Sequence, residues 1–355
     1  MRRNFKFISA VCMVICLAAI KSYAVDDIGD SAATPEDDLH TRFSAWLDQL
    51  RVEARERGIN ESTLKTALAQ VQHLPRVIRS DRAQAEFTES YDEYIAKRVS
   101  DTRVRMGREY LREHGAAMRP IAEHYGVQPR FIAAIIGIET NYGTYKLSYS
   151  LFDVLATLAF DDRRSQRFRD ELFAALKIID NAWASVGQLQ SSWAGALGVP
   201  QFMPSSYLHY AVDFDRDGDK DIWSHGPDMW ASVANYLATF GWHDDETWAR
   251  KVLLPKHKIA ALAADKTNQQ PIDAACERYS KHLYGWRDLS AWHAVGLRRL
   301  NGEALPEVAI SASLIVTDPD HAQGYLVYRN FCTLMRYNPA FKYALGVGSL
   351  SDALK

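Results

Sequence analysis

The 355-residue sequence contains little cysteine: four residues, of which Cys12 and Cys16 lie within the first 24 positions. The other two, Cys276 and Cys332, are too few for a cysteine-rich zinc site, and none of the 11 histidines forms an H-E-x-x-H motif. A zinc centre is therefore not predicted. An oxidising compartment would allow Cys276 and Cys332 to form a disulfide, and two buried free thiols are the open alternative.

The sequence also lacks a glycine-rich phosphate loop, a G-x-S-x-G nucleophile elbow and a surplus of basic residues. The first two absences argue against a P-loop nucleotide site and an α/β-hydrolase. Lysine and arginine number 42 against 44 acidic residues; without the four basic residues of positions 1–24, the balance is 38 against 44, or about −6. Because nucleic-acid binding needs a basic surface, no nucleic-acid partner is predicted.

Long apolar runs are absent apart from one near the N-terminus. Residues 1–24 combine basic residues, an apolar stretch of 14 residues at 7–20 and a Ser22-Tyr23-Ala24 cleavage site, which together predict a signal peptide. The stretch is shorter than the roughly 20 residues of a membrane-spanning helix. Neither cysteine of this segment fits the pattern of a lipid-anchored precursor. The sequence therefore predicts an exported, soluble periplasmic protein without a transmembrane segment; an uncleaved anchor is the alternative.

Most of the remaining chain has helical patterning. Residues 25–38 are acidic without an apolar period and predict a flexible leader, and residues 39–125 predict a helical domain. Apolar residues recur at helical spacing in the segments 43–50, 63–71, 91–114, 150–158, 165–186 and 228–240.

A different pattern follows Trp242. The segments Val308–Val316 and Gly324–Arg329 are rich in strand-forming residues and are separated by the turn Asp318–Asp320, so they predict two β-strands. Residues 245–330 are predicted to form a small β subdomain, and residues 331–355 to form a helical segment that packs back on the body. The predicted fold class is α+β, mainly α.

The segment Phe131–Gly143 places one carboxylate, Glu139, at the end of an apolar run. An acid held against hydrocarbon keeps its proton nearer to neutral pH, because its charged form loses hydration. A protonated carboxyl can donate its proton to a leaving oxygen, which is how glycosidic bonds are cleaved. Glu139 is therefore the candidate general acid. A solvated residue at the surface end of a buried helix is the alternative.

The segment Ser191–Ser205 combines polar and aromatic side chains with two glycines and two prolines. The glycines and prolines interrupt any continuous helix, so Ser192 and Gln201 are predicted to lie on a stiff loop with Trp193 and Phe202. A sugar is bound by hydrogen-bonding groups beside apolar faces, and this loop offers both. A tightly packed structural turn is the alternative.

The segment Asp213–Ser224 has the spacing of a calcium-binding loop. The predicted ligands are the side chains of Asp213, Asp215, Asp217 and Asp221 and the backbone carbonyl of Asp219. Position 12 is Ser224 where a bidentate glutamate is usual, so a structural Ca²⁺ site of weak affinity, ~10⁻⁴–10⁻³ M, is predicted. Asp228 is a candidate for the missing carboxylate, and a solvated acidic turn is the alternative.

Four motifs occur together in the order found in one bacterial family. Glu139–Gly143 (E-T-N-Y-G), Ala194–Tyr207, the aspartate-rich loop and Ser232–Tyr236 resemble lytic murein transglycosylase B, a family that cleaves peptidoglycan. The resemblance covers about residues 40–350. It implies a lysozyme-like catalytic core at residues 126–244 that carries Glu139 and an EF-hand-like calcium loop, beside the helical domain and the β subdomain.

The resemblance also implies a mechanism and a substrate, the glycan strands of peptidoglycan. Glu139 matches the family's single catalytic acid, which protonates the oxygen between N-acetylmuramic acid and N-acetylglucosamine. The same carboxylate then accepts the proton of the muramoyl C6 hydroxyl, which gives a 1,6-anhydromuramoyl end without water. The residues that match positions lining the sugar groove are Tyr94, Arg163, Arg164, Ser192, Gln201, Tyr236, Tyr337 and Asn338.

Two other functions stay open from the residues alone. A hydrolytic muramidase similar to goose lysozyme would cleave the same bond with water, and a non-catalytic murein-binding protein would keep the groove without the reaction. Ordinary glycosidases use two carboxylates. The acids nearest to Glu139 in sequence, Asp153, Asp161 and Asp162, include no obvious partner, which mildly favours a one-acid mechanism.

Overall fold

The computed structural model describes residues 35–83, 89–264, 276 and 283–355, so the predicted signal peptide and most of the predicted leader lie outside the described residues. The helices are α1 (Pro35–Glu56), α2 (Glu61–Ala67), α3 (Pro75–Arg82), α4 (Tyr91–Arg98), α5 (Asp101–Tyr125), α6 (Pro129–Thr140), α7 (Leu151–Phe160), α8 (Ser165–Asp180), α9 (Pro204–Tyr210), α10 (Pro227–Thr239), α11 (Ile259–Ala264), α12 (Leu289–Val295), α13 (Arg329–Tyr337) and α14 (Phe341–Ala353). None of these described helices is long and apolar enough to cross a membrane.

Helix α1 includes the last four residues of the predicted leader, 35–38. Pro35 suits the first turn of a helix, and Asp37 and Asp38 near its start are favoured by the positive end of the helix dipole, so the local sequence favours helix here. The chain divides into a unit that ends at Arg42 and a unit from Phe43 to Lys355. Within the smaller unit, the Thr41 hydroxyl donates to the Asp37 carbonyl at 2.8 Å.

The predicted helical stretch 91–114 is two helices. Ser90 caps α4, since its side chain accepts from the backbone of Glu93 and the Glu93 carboxylate accepts from the Ser90 N–H at 2.8 Å. Ser100 begins α5 in the same way by accepting from the Arg103 N–H at 3.4 Å. Because this cap stands inside a continuous amphipathic pattern, the periodicity alone did not show the break.

Helix α6, which ends at the candidate acid, lies in the main core. It begins with Pro129, and every residue of 131–138 is buried. Helix α14 packs on both α6 and α4, and α5 also packs on α6. The C-terminal segment therefore forms part of the surroundings of Glu139.

The described strands lie in two antiparallel sheets. The first consists of β1 (Tyr149–Ser150) and β2 (Gln190–Ser191). The second contains β3 (Ala249–Leu253), β4 (Tyr284–Asp288), β5 (Arg298–Arg299), β6 (Ser311–Asp318) and β7 (Gln323–Val327), in the order β4-β6-β7-β3-β5. β6 and β7 overlap the two predicted strands, with bounds that differ by up to three residues. This sheet buries its own apolar cluster, which includes Trp292, Leu314 and Leu326.

Cys276 and Cys332 form a disulfide, with Cα atoms 4.9 Å apart, and both residues are fully buried. This result decides between the two alternatives that the sequence left open. Cys332 lies on α13, which ends at Tyr337, so the bridge fixes a helix that leads toward the predicted sugar groove.

Replacement of both cysteines by alanine should lower the free energy of unfolding by about 2–4 kcal/mol, because the bridge closes a loop across a sequence separation of 56 residues. Thermal unfolding of the Cys276→Ala/Cys332→Ala variant measures this loss. Full reduction of the wild-type protein in denaturant should lower its refolded stability to a similar extent. Equal melting temperatures of the wild type and the double variant would contradict the prediction.

Candidate active site

The Glu139 carboxyl stands at the penultimate position of α6, half-buried at the end of the apolar run. Desolvation raises the pKa of Glu139 to about 7, although a hydrogen bond from Tyr343 and the charge of Arg98 act in the opposite direction. The Tyr343 hydroxyl, from α14, donates to Oε1 of Glu139 at 2.7 Å. A carboxyl with this pKa holds and releases its proton with similar ease near neutral pH, as a combined general acid and base requires.

No second carboxylate among the described residues contributes to the pKa of Glu139. Two of the acids nearest in sequence are engaged elsewhere. Asp153 accepts from the Gln72 N–H at 3.0 Å, and Asp161 pairs with Arg82 at 2.8 Å. Within the part of the chain that the structure describes, Glu139 therefore has no carboxylate partner of the kind with which ordinary glycosidases work.

Three consecutive residues after α6 have left-handed backbones: Asn141, Tyr142 and Gly143, with φ of 50°, 58° and 74°. This conformation costs about 1–2 kcal/mol for a residue with a side chain, so the surroundings must hold Asn141 and Tyr142 in place. The Thr140 hydroxyl does part of this by accepting from the Gly143 N–H and donating to the Val199 carbonyl, each at 3.1 Å.

The Tyr142 ring fills the space that two glycines leave between α5 and α6. A Cβ at Gly137 would lie 2.7 Å from this ring, and a Cβ at Gly107 would also collide with its hydroxyl. The tyrosine of the E-T-N-Y-G motif is therefore a packing residue, only 7% exposed. It joins the loop after the acid to two helices of the core.

The segment 192–203 forms the predicted non-helical loop beside this site. Gln201 has a left-handed backbone, with φ of 56°, and its side-chain amide donates to the Gly198 carbonyl at 3.0 Å. The Ser192 hydroxyl accepts from the Ala196 N–H at 3.2 Å. Tyr337 fixes the loop from the other side by donating to the Pro200 carbonyl at 2.7 Å. Both predicted sugar contacts therefore lie on a loop with a defined conformation.

Aromatic residues from three helices surround the bond between Tyr343 and Glu139. The rings of Tyr337 and Tyr343 stack with centroids 6.3 Å apart, and Tyr236 packs on Tyr337 with centroids 4.9 Å apart. Tyr94 is buried, and the charge of Glu139 contributes to the raised pKa of its phenol. Tyr94 and Tyr343 also line a cavity of about 290 Å³ together with Asn338. Four of the predicted groove residues thus lie in one neighbourhood with the acid.

Arg163 and Arg164 have a different local environment. Both pair with the buried Asp81, Arg163 at 3.1 Å. Arg163 also donates to the Asp81 carbonyl at 2.8 Å. These contacts connect the start of α8 to α3 and leave the assignment of the two arginines to the groove as a prediction.

The aspartate-rich loop brings four carboxylates together: Asp213, Asp215 and Asp217 with Asp228 of α10, whose oxygens lie within 4.8 Å of one another. Oδ1 of Asp213 is buried without a hydrogen-bond donor. Asp221 instead caps the end of the loop, since its Oδ1 accepts from the N–H groups of Trp223 and Ser224 at 2.7 and 3.0 Å. The three loop carboxylates at positions 1, 3 and 5 therefore converge with Asp228, and the roles of Asp219 and Asp221 as ligands stay predictions.

A family model described as the transglycosylase SLT domain matches residues 42–352 of the chain. The chain belongs to this family of lytic transglycosylases. One relative is the membrane-bound lytic murein transglycosylase B of Escherichia coli, 29% identical over 308 residues that cover 84% of this chain and 79% of the relative.

Solved structures of this family share the fold. SltB3 from Pseudomonas aeruginosa, in complex with NAG-NAM-pentapeptide, has a TM-score of 0.79 and 34% identity over 88% of this chain and 79% of its own. The lytic transglycosylase SLT35 of Escherichia coli, in complex with calcium, has a TM-score of 0.69 and 28% identity over 92% and 94% of the two chains. The predicted α+β, mainly helical, lysozyme-like fold class is confirmed.

Sequence reasoning missed Tyr343 and Arg98, two described residues that lower the pKa of the Glu139 carboxyl. Arg98 lies inside the predicted helical stretch 91–114, and Tyr343 belongs to the predicted C-terminal helical segment, where neither residue stands out. The only signal was the cluster of aromatic residues that also contains Tyr337 and Phe341 in a segment predicted to pack on the body.

Substitution Tyr343→Phe should raise the pKa of Glu139 by about one unit, because it removes a hydrogen bond that favours the charged carboxylate. Since a general acid must be protonated, the high-pH decline of kcat/KM should move upward by the same amount. A ¹³C NMR titration of the Glu139 carboxyl measures the shift directly. Tyr337→Phe, which removes a hydroxyl bonded to Pro200 instead, is the matched control. An unchanged titration midpoint in Tyr343→Phe would reject this role for the phenol.

Proposed function

We propose that the chain cleaves the β-1,4 bond between N-acetylmuramic acid and N-acetylglucosamine in peptidoglycan without water, with Glu139 as its only acid and base. The observation that carries the proposal is the Glu139 carboxyl, with a pKa of about 7 and no second carboxylate among the described groups that act on it. Membership of the transglycosylase family and the substrate named for the relatives support the same reaction.

In the first step, protonated Glu139 donates its proton to the glycosidic oxygen as the bond from that oxygen to C1 of the muramoyl residue breaks. The N-acetyl group of the same sugar is expected to stabilise the positive charge that develops at C1. In the second step, the Glu139 carboxylate removes the proton of the C6 hydroxyl. At the same time, the oxygen of that hydroxyl forms a bond to C1. The product is a 1,6-anhydromuramoyl end, and the acid regains its starting proton.

The surroundings of Glu139 suit both steps. Its carbon-rich surroundings raise the pKa, which makes proton donation possible near neutral pH, and the Tyr343 hydroxyl stabilises the carboxylate formed after donation. Solved complexes of SltB3 from Pseudomonas aeruginosa contain NAG-NAM-pentapeptide and NAG-anhNAM-pentapeptide. These complexes support a glycan with an attached peptide as the substrate class of this chain.

The residues proposed to bind the glycan are those that match the groove of the family: Tyr94, Arg163, Arg164, Ser192, Gln201, Tyr236, Tyr337 and Asn338. Four of them lie near Glu139, and two lie on the adjoining loop that Tyr337 and Thr140 hold in place. Aromatic faces beside hydrogen-bonding groups give the loop and the tyrosines the chemistry that a sugar ring requires.

Substitution Glu139→Gln should abolish cleavage of purified peptidoglycan, because the amide can neither donate an acidic proton nor act as a base. At pH 8 the variant should melt a few degrees higher than the wild type, since the folded pKa lies above that of the unfolded chain. Stability from this carboxyl is therefore lost as the pH rises through about 7. Asp162→Asn, which changes an exposed acid nearby in sequence, is the control that should retain activity.

The masses of the released disaccharide-peptides distinguish the possible functions. Products lighter by one water than the hydrolytic ones support the transglycosylase reaction, and products that contain the added water reject it in favour of a muramidase. Undiminished cleavage by Glu139→Gln would exclude both enzyme mechanisms at this residue. No cleavage by the wild-type protein, with retained binding to peptidoglycan, would indicate a binding protein.

We also infer that the aspartate-rich loop binds Ca²⁺. The orphaned, buried Oδ1 of Asp213 and the four converging carboxylates fit a hard cation with oxygen ligands, because these like charges otherwise repel one another. The calcium complex of SLT35 supports the choice of metal. Asp213, Asp215, Asp217 and Asp228 would hold the ion, which would cross-link the loop to α10 and take no part in proton transfer.

Addition of 10 mM Ca²⁺ to chelator-treated protein should stabilise it by about 1–3 kcal/mol, as expected for ~10⁻⁴–10⁻³ M affinity. Differential scanning calorimetry measures the gain as a rise in melting temperature. Asp213→Asn should remove most of the rise. Asp219→Asn should retain the rise in melting temperature, because this substitution keeps the backbone carbonyl of residue 219, which is the group predicted to bind Ca²⁺. No rise at 10 mM Ca²⁺ would remove the assignment.

We propose that the protein acts in the periplasm after export. The pattern of residues 1–24 supports a signal peptide, although these residues lie outside the described part of the chain. The buried Cys276–Cys332 disulfide supports an oxidising compartment. The relative from Escherichia coli is named membrane-bound, so the anchor is a point on which the two proteins are proposed to differ.

A further inference from the structure

Arg103 is a buried cation that the proposed mechanism does not use. Its side chain is 7% exposed, and no carboxylate of the described residues lies within ion-pair distance of it. Within the described residues, its guanidinium donates only to neutral oxygens, those of Lys97, Arg98 and Asn141. Burial of a guanidinium without a counter-ion costs free energy, so a buried Arg103 indicates a role that offsets this cost.

The acceptors of Arg103 belong to two separate elements. Nη1 donates to the carbonyl of Arg98 at 2.7 Å, with a longer contact to the Lys97 carbonyl at 3.4 Å, and so binds the negative end of α4. Nε donates to Oδ1 of Asn141 at 3.1 Å, in the loop directly after α6. One planar side chain from α5 thus joins the ends of α4 and α6.

These two helix ends carry the groups that surround the catalytic carboxyl. Helix α4 carries Tyr94 and Arg98, whose charge acts on Glu139. Helix α6 carries Glu139 itself, two residues before Asn141. The left-handed Asn141 and Tyr142 keep their strained backbone only while their surroundings hold it, and Arg103 is the charged donor that does so.

We propose that Arg103 is a positioning residue, which sets the orientation of Glu139 by clamping Asn141 against the end of α4. The inference rests on the proposed function, because the orientation matters for an acid that must reach two oxygens in turn. Because Arg103 is buried and bonded to protein oxygens, we expect it to act through Asn141 and not through contact with the substrate. Its effect should therefore fall on kcat and leave KM within about two-fold.

The test compares Arg103→Met and Asn141→Ala with the double variant. Each single substitution should lower kcat by about ten- to a hundred-fold, the range expected for loss of a charged hydrogen bond in a positioned site. Because Arg103 acts through Asn141, the double variant should be no slower than the slower single variant. Multiplied losses in the double variant would overturn the proposal, as would a change confined to KM. Arg103→Lys, which cannot reach both helix ends, should recover only part of the rate.

Arg108 supplies a matched control on the same helix. It also donates to a carbonyl at a helix end, that of Ala353, at 2.8 and 3.1 Å, but it makes no recorded contact with Asn141. Arg108→Met should leave kcat unchanged even where it lowers the melting temperature. If Arg103→Met and Arg108→Met lower kcat equally, the proposal is wrong.

NMR separates this proposal from the proposed function. The backbone amide signals of Tyr142 and Gly143 should move in Arg103→Met and Asn141→Ala and stay fixed in Arg108→Met, whether or not the wild type cleaves peptidoglycan. Unmoved signals in both site variants would overturn the positioning role even in an active enzyme. Should Arg103→Met fail to fold, Asn141→Ala and Arg103→Lys provide the same comparison.

Discussion

The candidate active site depends on one desolvated carboxyl. Glu139 ends a helix whose preceding residues are buried hydrocarbon, and that environment raises its pKa to about 7 against the opposing hydrogen bond from Tyr343. The two influences have different functions in the proposed cycle. Apolar burial favours the protonated form that starts the reaction, and the phenol stabilises the carboxylate that follows. A single residue can then alternate between two roles that most glycosidases divide between two acids.

Around this carboxyl, rigidity comes from several weak constraints acting together. The left-handed turn after α6 is held by Thr140 and Arg103. The adjoining loop of residues 192–203 is held by Thr140 and Tyr337. Thr140 therefore serves both the acid and the loop. Because Thr140 bonds to both segments, the glycine- and proline-containing loop 192–203 keeps one conformation beside the strained turn.

Features set by local sequence were predictable, and features set by long-range packing were not. The apolar run before Glu139 and the breaks in the 191–205 loop each follow from neighbouring residues. The helix break at Ser100 was hidden, because a serine that caps a helix fits an amphipathic pattern just as a solvent-facing serine inside a helix does. The aromatic cluster around Tyr343 was its only local signal, and it could not identify the partner, which lies 204 residues away in the sequence. The family resemblance supplied the groove, which periodicity cannot place.

The length of that separation has a consequence for biosynthesis. The phenol that bonds the acid lies in the last helix of the chain, and the sheet of residues 249–327 must be made before it. During synthesis, a partial chain therefore has the acid without its hydroxyl partner. Folding must bring together two segments that lie 204 residues apart in the sequence, and such long-range contacts form slowly compared with helices. The hydrogen-bonded arrangement around Glu139 therefore forms only after α14 has been made and has packed on α6.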